Sequence, residues 1–84
     1  MTTKYTKLYS VNLTAFIYLI SKLEPMTQID AKGEIYFLFP DTPEISLLIN
    51  IYRSNRVSIV LKDYLSAFRH IRTLMYEAKK AKKV

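Results

Sequence analysis

The chain has 84 residues, half of them apolar and 13% aromatic, with no cysteine and a formal net charge of +6 at neutral pH. That length makes one domain, near the size at which a single core is only marginally stabilising. The lack of cysteine excludes disulfides and thiolate metal sites and fits a reducing cytoplasm. The charge is piled at one end. Residues 1–68 hold seven basic and six acidic side chains, a net +1, whereas Arg69, Arg72, Lys79, Lys80, Lys82 and Lys83 face Glu77 alone, a net +5. A near-neutral, apolar-rich body with a cationic end reads as a folded domain presenting a basic appendage to a polyanion or an acidic partner. The first 15 residues are polar and mixed, with no secretory h-region. The longest apolar run, 15–20, is far shorter than the roughly 20 residues of a membrane span. The expectation is a soluble, cytoplasmic α+β domain over residues 1–78, followed by a basic tail over 79–84.

Residues 4–9 are rich in tyrosine and threonine and suit a short strand. Ser10 or Asn12 then offers a capping oxygen before Leu13, Phe16, Ile17, Ile20 and Leu23, whose spacing predicts one apolar helical stripe ended by Pro25. Residues 26–29 and 35–39 flank Asp30-Ala31-Lys32-Gly33. Aspartate suits the first position of a type I turn, and the chain's one glycine takes the left-handed position of a bulged hairpin. In the second strand Ile35, Phe37 and Phe39 share one face and Tyr36 and Leu38 the other, which predicts a central or covered strand.

Asp41-Thr42-Pro43-Glu44 reads as a helix start: a capping side chain, proline in the first turn and an acid at the positive dipole end. Ile45, Leu48, Ile49 and Tyr52 form that helix's apolar stripe, and Asn55 is placed to close it. Residues 57–61 are β-branched and suit one more short strand. A long final helix follows to about residue 80, with Leu61, Tyr64, Leu65, Phe68, Ile71, Met75 and Ala78 expected on its buried side. The order is β-α-β-β-α-(β)-α, a small antiparallel sheet with helices packed on it.

Material for catalysis is thin. His70 is the sole histidine and is expected to lie opposite the buried stripe as an ordinary surface residue, and one histidine without cysteine leaves no imidazole or thiolate metal site. Asp30, Asp41, Glu44 and Asp63 sit at a turn or at helix starts, where capping explains them. One glycine cannot build a phosphate loop, and no serine has a nucleophile-elbow context. No enzyme activity, cofactor or metal is expected. The basic end has more order. Lys62, Arg69 and Lys80 project within about 20° of one another at about 100° per residue, with Arg72 and Lys83 on the same flank. Together with Lys79 and Lys82 they suit a phosphate-contacting surface. The alternative is a solvated helix end whose lysines complement the macrodipole.

Residues Leu8-Tyr9-Ser10-Val11-Asn12-Leu13 and Lys32-Gly33-Glu34-Ile35-Tyr36-Phe37-Leu38-Phe39 resemble the paired hexamer and octamer of the RNA-recognition fold. That resemblance implies Tyr9 and Tyr36 as platforms on which bases stack, with Lys32 on phosphate. Glu34 departs from it by placing a carboxylate at a stacking position, and the spacing between the two motifs is shorter than in that fold.

A broader resemblance spans Tyr5 to Tyr76. It is carried by Leu13-Thr14-Ala15-Phe16-Ile17, the aromatic strand 35–39, Asp41-Thr42-Pro43-Glu44, Tyr52, and a stretch from Arg69 to Tyr76. In these the chain resembles a family of short, uncharacterised domains from phages, prophages and mobile elements of Gram-positive bacteria. Thr14-Ala15 stands where that family commonly has a pair of small residues. The resemblance implies an accessory protein acting in the host cytoplasm and brings no catalytic residues with it.

Three functions fit. The first is nucleic-acid binding, DNA or RNA, through Lys62, Arg69, Arg72, Lys79, Lys80, Lys82 and Lys83. The second is an inhibitor or counter-defence module docking on a host protein. The third is a homo-oligomeric assembly component using the apolar excess of Tyr18, Leu74 and Tyr76.

Overall fold

The computed structural model describes residues 4–54, 59 and 61–82. Its elements are β1 (Tyr5–Leu8), α1 (Val11–Ser21), β2 (Met26–Ile29), β3 (Ile35–Pro40), α2 (Pro43–Arg53) and α3 (Leu61–Lys82). The expected α+β order stands. The strand expected over 57–61 lies largely outside the described residues, although Ile59 is in no element and Leu61 opens α3. Asn55, expected to close α2, is also outside them. Ser54 takes the cap instead, its backbone N–H reaching the carbonyls of Asn50 and Tyr52.

The three strands form one antiparallel sheet in the order β1-β3-β2, so the strand apolar on both faces is the central one. Directly opposed residues share a face. Phe37 stands against Leu8 and Thr27, and Phe39 against Thr6; both phenylalanines are fully buried beneath the helices. Leu38 stands against Lys7 and Met26, and Tyr36 against Gln28, and these form the other face. The hairpin is closed by the Gly33 N–H on the Asp30 carbonyl (3.0 Å), and Gly33 has φ 85°, which a Cβ would disfavour.

Ser10 caps α1, its hydroxyl accepting from the Leu13 N–H at 3.2 Å, and Thr42 caps α2 in the same way through Ile45. Around α1 the core divides. On one side Leu13, Phe16 and Ile17 meet Leu8, Phe39, Ile45 and Leu48, with Ile49 and Tyr52 packed against them. On the other, Ala15 meets Phe37, Ala67 and Ile71. Because α1 is pressed between the sheet and two helices, its buried arc is wider than the predicted stripe and takes in Thr14, whose hydroxyl donates to the Ser10 carbonyl at 2.7 Å. Ile20 and Leu23, expected in that stripe, are exposed instead. The helix ends at Ser21, and Lys22 turns the chain away through a left-handed φ of 63°.

The buried side of α3 differs from expectation in part: Ile71, Tyr64, Phe68 and Met75 lie there as expected, and Leu61 and Leu65 do not. Ala67 and Ile71 are its buried residues, flanked by Tyr64, Phe68, Leu74 and Met75, whereas Leu61 is 68% exposed and Leu65 43%. The helix is rotated so that its small residue Ala67 meets Ala15, which lets α1 and α3 approach closely. The Tyr64 hydroxyl donates to the Asn12 carbonyl at 3.2 Å and ties α3 to the start of α1. Burial, and secondarily Tyr52, raises the Tyr64 phenol above its ordinary pKa. None of the described helices is long and apolar enough to cross a membrane.

Candidate nucleic-acid interface

The rotation of α3 settles where its cations point. With Ala67 and Ile71 toward the core, Lys62, Arg69 and Lys80 fall on the diametrically opposite side of the helix, and Arg72 and Lys79 on one flank. All five side chains are exposed. At about 1.5 Å per residue the strip from Lys62 to Lys80 is about 27 Å long. The Arg72 guanidinium lies 6.0 Å from the Phe68 ring centroid, which steadies one of the five. Among the described residues the one contact between a carboxylate and a basic side chain is His70 with Glu24, so neither Asp63 nor Glu77 neutralises a cation of the strip directly. Lys79 and Lys80 lie within α3 itself, which runs on to Lys82. The side chain of Lys82 and all of Lys83 lie outside the described residues.

The two tyrosines singled out by sequence are brought together. Tyr9 follows β1 and packs its ring against Tyr36 of β3 on the sheet face away from the helices, with centroids 5.7 Å apart and planes tilted by 52°. Lys7, which sequence reasoning passed over, holds its Nζ 4.4 Å from the Tyr36 ring centroid. Its signal was the period-2 alternation of β1, which puts positions 5, 7 and 9 on one face. The Tyr9 hydroxyl donates to Asp30 Oδ2 at 2.9 Å. Asp30 Oδ1 accepts the backbone N–H groups of Lys32 and Glu34, each at 2.9 Å. These bonds, the one from Glu34 foremost, hold the Asp30 carboxyl below its ordinary pKa against the opposing effect of desolvation. The same carboxylate raises the Tyr9 phenol. Lys32 is exposed in the hairpin turn, but no contact places it with the tyrosine pair.

A groove of about 350 Å³ joins the two regions: Tyr9, Gly33, Glu34 and Ile35 line one part, and Met75 and Lys79 of α3 the other. His70 departs from the surface role expected of it. Its ring stacks on Tyr18 (4.6 Å between centroids, planes 18° apart) and its Nε2 meets Glu24 Oε1 at 2.5 Å. The rotation of α3 carries His70 to the border of the buried stripe. Tyr18 and Leu74 are likewise half-buried within the chain, leaving Tyr76, 73% exposed, as the free member of the expected assembly trio. Leu61, Leu65 and Tyr76 instead share one exposed flank of α3.

Fold and site together define a small α+β domain with helices on one sheet face, an aromatic pair on the other and a one-sided cationic C-terminal helix. The chain belongs to the DUF5659 family, a domain of unknown function, whose model matches residues 3–77. That span contains the whole sheet, α1, α2 and most of α3. No curated protein and no solved structure matches the chain.

Proposed function

We propose that this domain is a phage or mobile-element accessory protein that binds nucleic acid in the host cytoplasm through the cationic side of α3. The observation that carries the reading is the strip itself. Lys62, Arg69, Arg72, Lys79 and Lys80 are exposed along one rigid helix, and none is held in an ion pair among the described residues. A dense phosphate backbone releases counterions when such a surface meets it, and that release drives sequence-independent binding. The sequence resemblance to phage and mobile-element domains supports the biological context.

The test is fluorescence anisotropy with labelled DNA and RNA over a salt series, comparing wild type with the Arg69→Ala, Arg72→Ala, Lys80→Ala triple variant. Wild-type affinity is expected to fall linearly on a log–log plot against salt, with the triple variant shallower by about two to three in slope. Absence of wild-type binding at low salt, or an unchanged slope in the variant, refutes the reading.

A second reading has its own support in Leu61, Leu65 and Tyr76, exposed apolar residues interleaved with Arg72 and Lys79 on one flank of α3. Such a mixed surface suits a protein partner, either a host protein or a second copy. It would show as association that resists salt, and self-association as a mass that rises with concentration.

A further inference from the structure

We infer that the nucleic acid this domain takes is single-stranded, its bases stacking on the open sheet face over Tyr9 and Tyr36 while its backbone follows Lys79 and the α3 cations. The inference rests on the phosphate-binding reading of α3 and adds the class of strand and the path it takes. Four observations carry it.

Tyr36 and Leu38 belong to neither core cluster, and every helix residue of those clusters lies with Phe37 and Phe39 on the opposite side of the sheet. The Tyr9–Tyr36 pair therefore lies on a face that no described helix covers. Such rings can engage only a base whose π-face is free, and a duplex keeps its base faces stacked inside.

Tyr9 is also fixed in place. Its hydroxyl is held by Asp30, so the ring needs no ordering when a base arrives, and the carboxylate that holds it is itself fixed by two backbone N–H groups of its own hairpin. Charge is supplied on the spot: Lys7 lies over the Tyr36 ring within reach of any phosphate that accompanies a stacked base.

Continuity is the last observation. The groove shared by Tyr9, Met75 and Lys79 leads from the platform to the basic end of α3, where Lys80 and Arg72 follow. Glu34 lines the hairpin part of that groove and repels phosphate, which leaves the Lys79 side as the backbone's path.

The experiment uses the full chain with two labelled probes: a short thymidine oligonucleotide and an abasic strand of the same length and charge. The thymidine strand is expected to bind about tenfold or more tighter, as stacking on an aromatic side chain provides. Tyr9→Leu and Tyr36→Leu should each abolish most of that preference, read as the ratio of the two probes' affinities for one variant, and Tyr9→Phe, which keeps the ring, should retain it. If Tyr36→Leu fails to fold, the exposed Tyr9 variants and the two probes still decide. Equal binding of both probes, or a preference that survives Tyr9→Leu, overturns the platform and leaves the α3 reading standing. Failure of both probes to bind at low salt overturns the single-strand inference, and the α3 reading falls with it only if duplex DNA and RNA also fail to bind.

Discussion

Ile71→Ala and Leu65→Ala, made separately, measure which side of α3 faces the core. Ile71 is fully buried and packs with Ala15, Phe37 and Ala67. Truncation strips its outer carbons at about 0.8 kcal/mol per methylene and leaves a cavity that this crowded helix crossing cannot close, for a loss of about 3–4 kcal/mol. Leu65 is 43% exposed, so the same truncation forfeits only part of the transfer energy and solvent fills the space. Its loss is about 1 kcal/mol, reduced by a few tenths because alanine is the better helix former. A domain of this size is stable by about 4–13 kcal/mol in total, so the first change is severe and the second mild. Urea unfolding followed by far-UV circular dichroism would read both. Melting temperatures should fall by about 15–25 °C for Ile71→Ala and about 5 °C for Leu65→Ala. Equal losses, or a larger one for Leu65, would mean that the buried side runs through Leu61 and Leu65 and that the cations do not face solvent as described.

Gly33→Val forces a β-branched residue into a left-handed turn and should cost about 1–2 kcal/mol in the same unfolding assay; an unchanged midpoint would contradict the turn geometry. Asp30 has a native pKa below its ordinary value, so its ionised form favours the folded state above about pH 4. That contribution is lost as pH falls through the depressed native value, and Asp30→Asn should flatten the acid limb of a melting-temperature profile; a variant that falls in parallel with wild type would exclude the hairpin carboxylate. The alanine triple used for binding replaces exposed side chains and should melt within about 0.5 kcal/mol of wild type, which separates a lost contact from a lost fold.

The hairpin and the start of α2 were legible because their signals are local: one glycine after an aspartate turn, and Thr42-Pro43-Glu44 in sequence order. The phase of α3 was not. Apolar residues lie almost all round that helix, at Leu61, Leu65 and Tyr76 as well as at Ala67, Ile71 and Leu74, so periodicity alone cannot choose a face. The choice is made by a contact far away in sequence, Ala67 against Ala15, and it moved both His70 and the apolar flank. The cation strip was visible in the spacing of lysines and arginines, but its relation to the tyrosine pair was not. Tyr9, Tyr36 and Lys79 share one region only because β1 lies beside β3 and the end of α3 reaches the hairpin.

The strand order has a further effect on the solution behaviour of the protein. Residues 35–39 are an unbroken run of isoleucine, tyrosine, phenylalanine and leucine without charge, the composition of a cross-β segment. In the fold that run is central, hydrogen-bonded on both sides by β1 and β2, each only four residues long. Short outer strands carrying Lys7 and Gln28 offer little template for a neighbour. β1 thus acts as a guard strand: a protease that clipped it away would uncover one whole edge of a fibril-prone stretch.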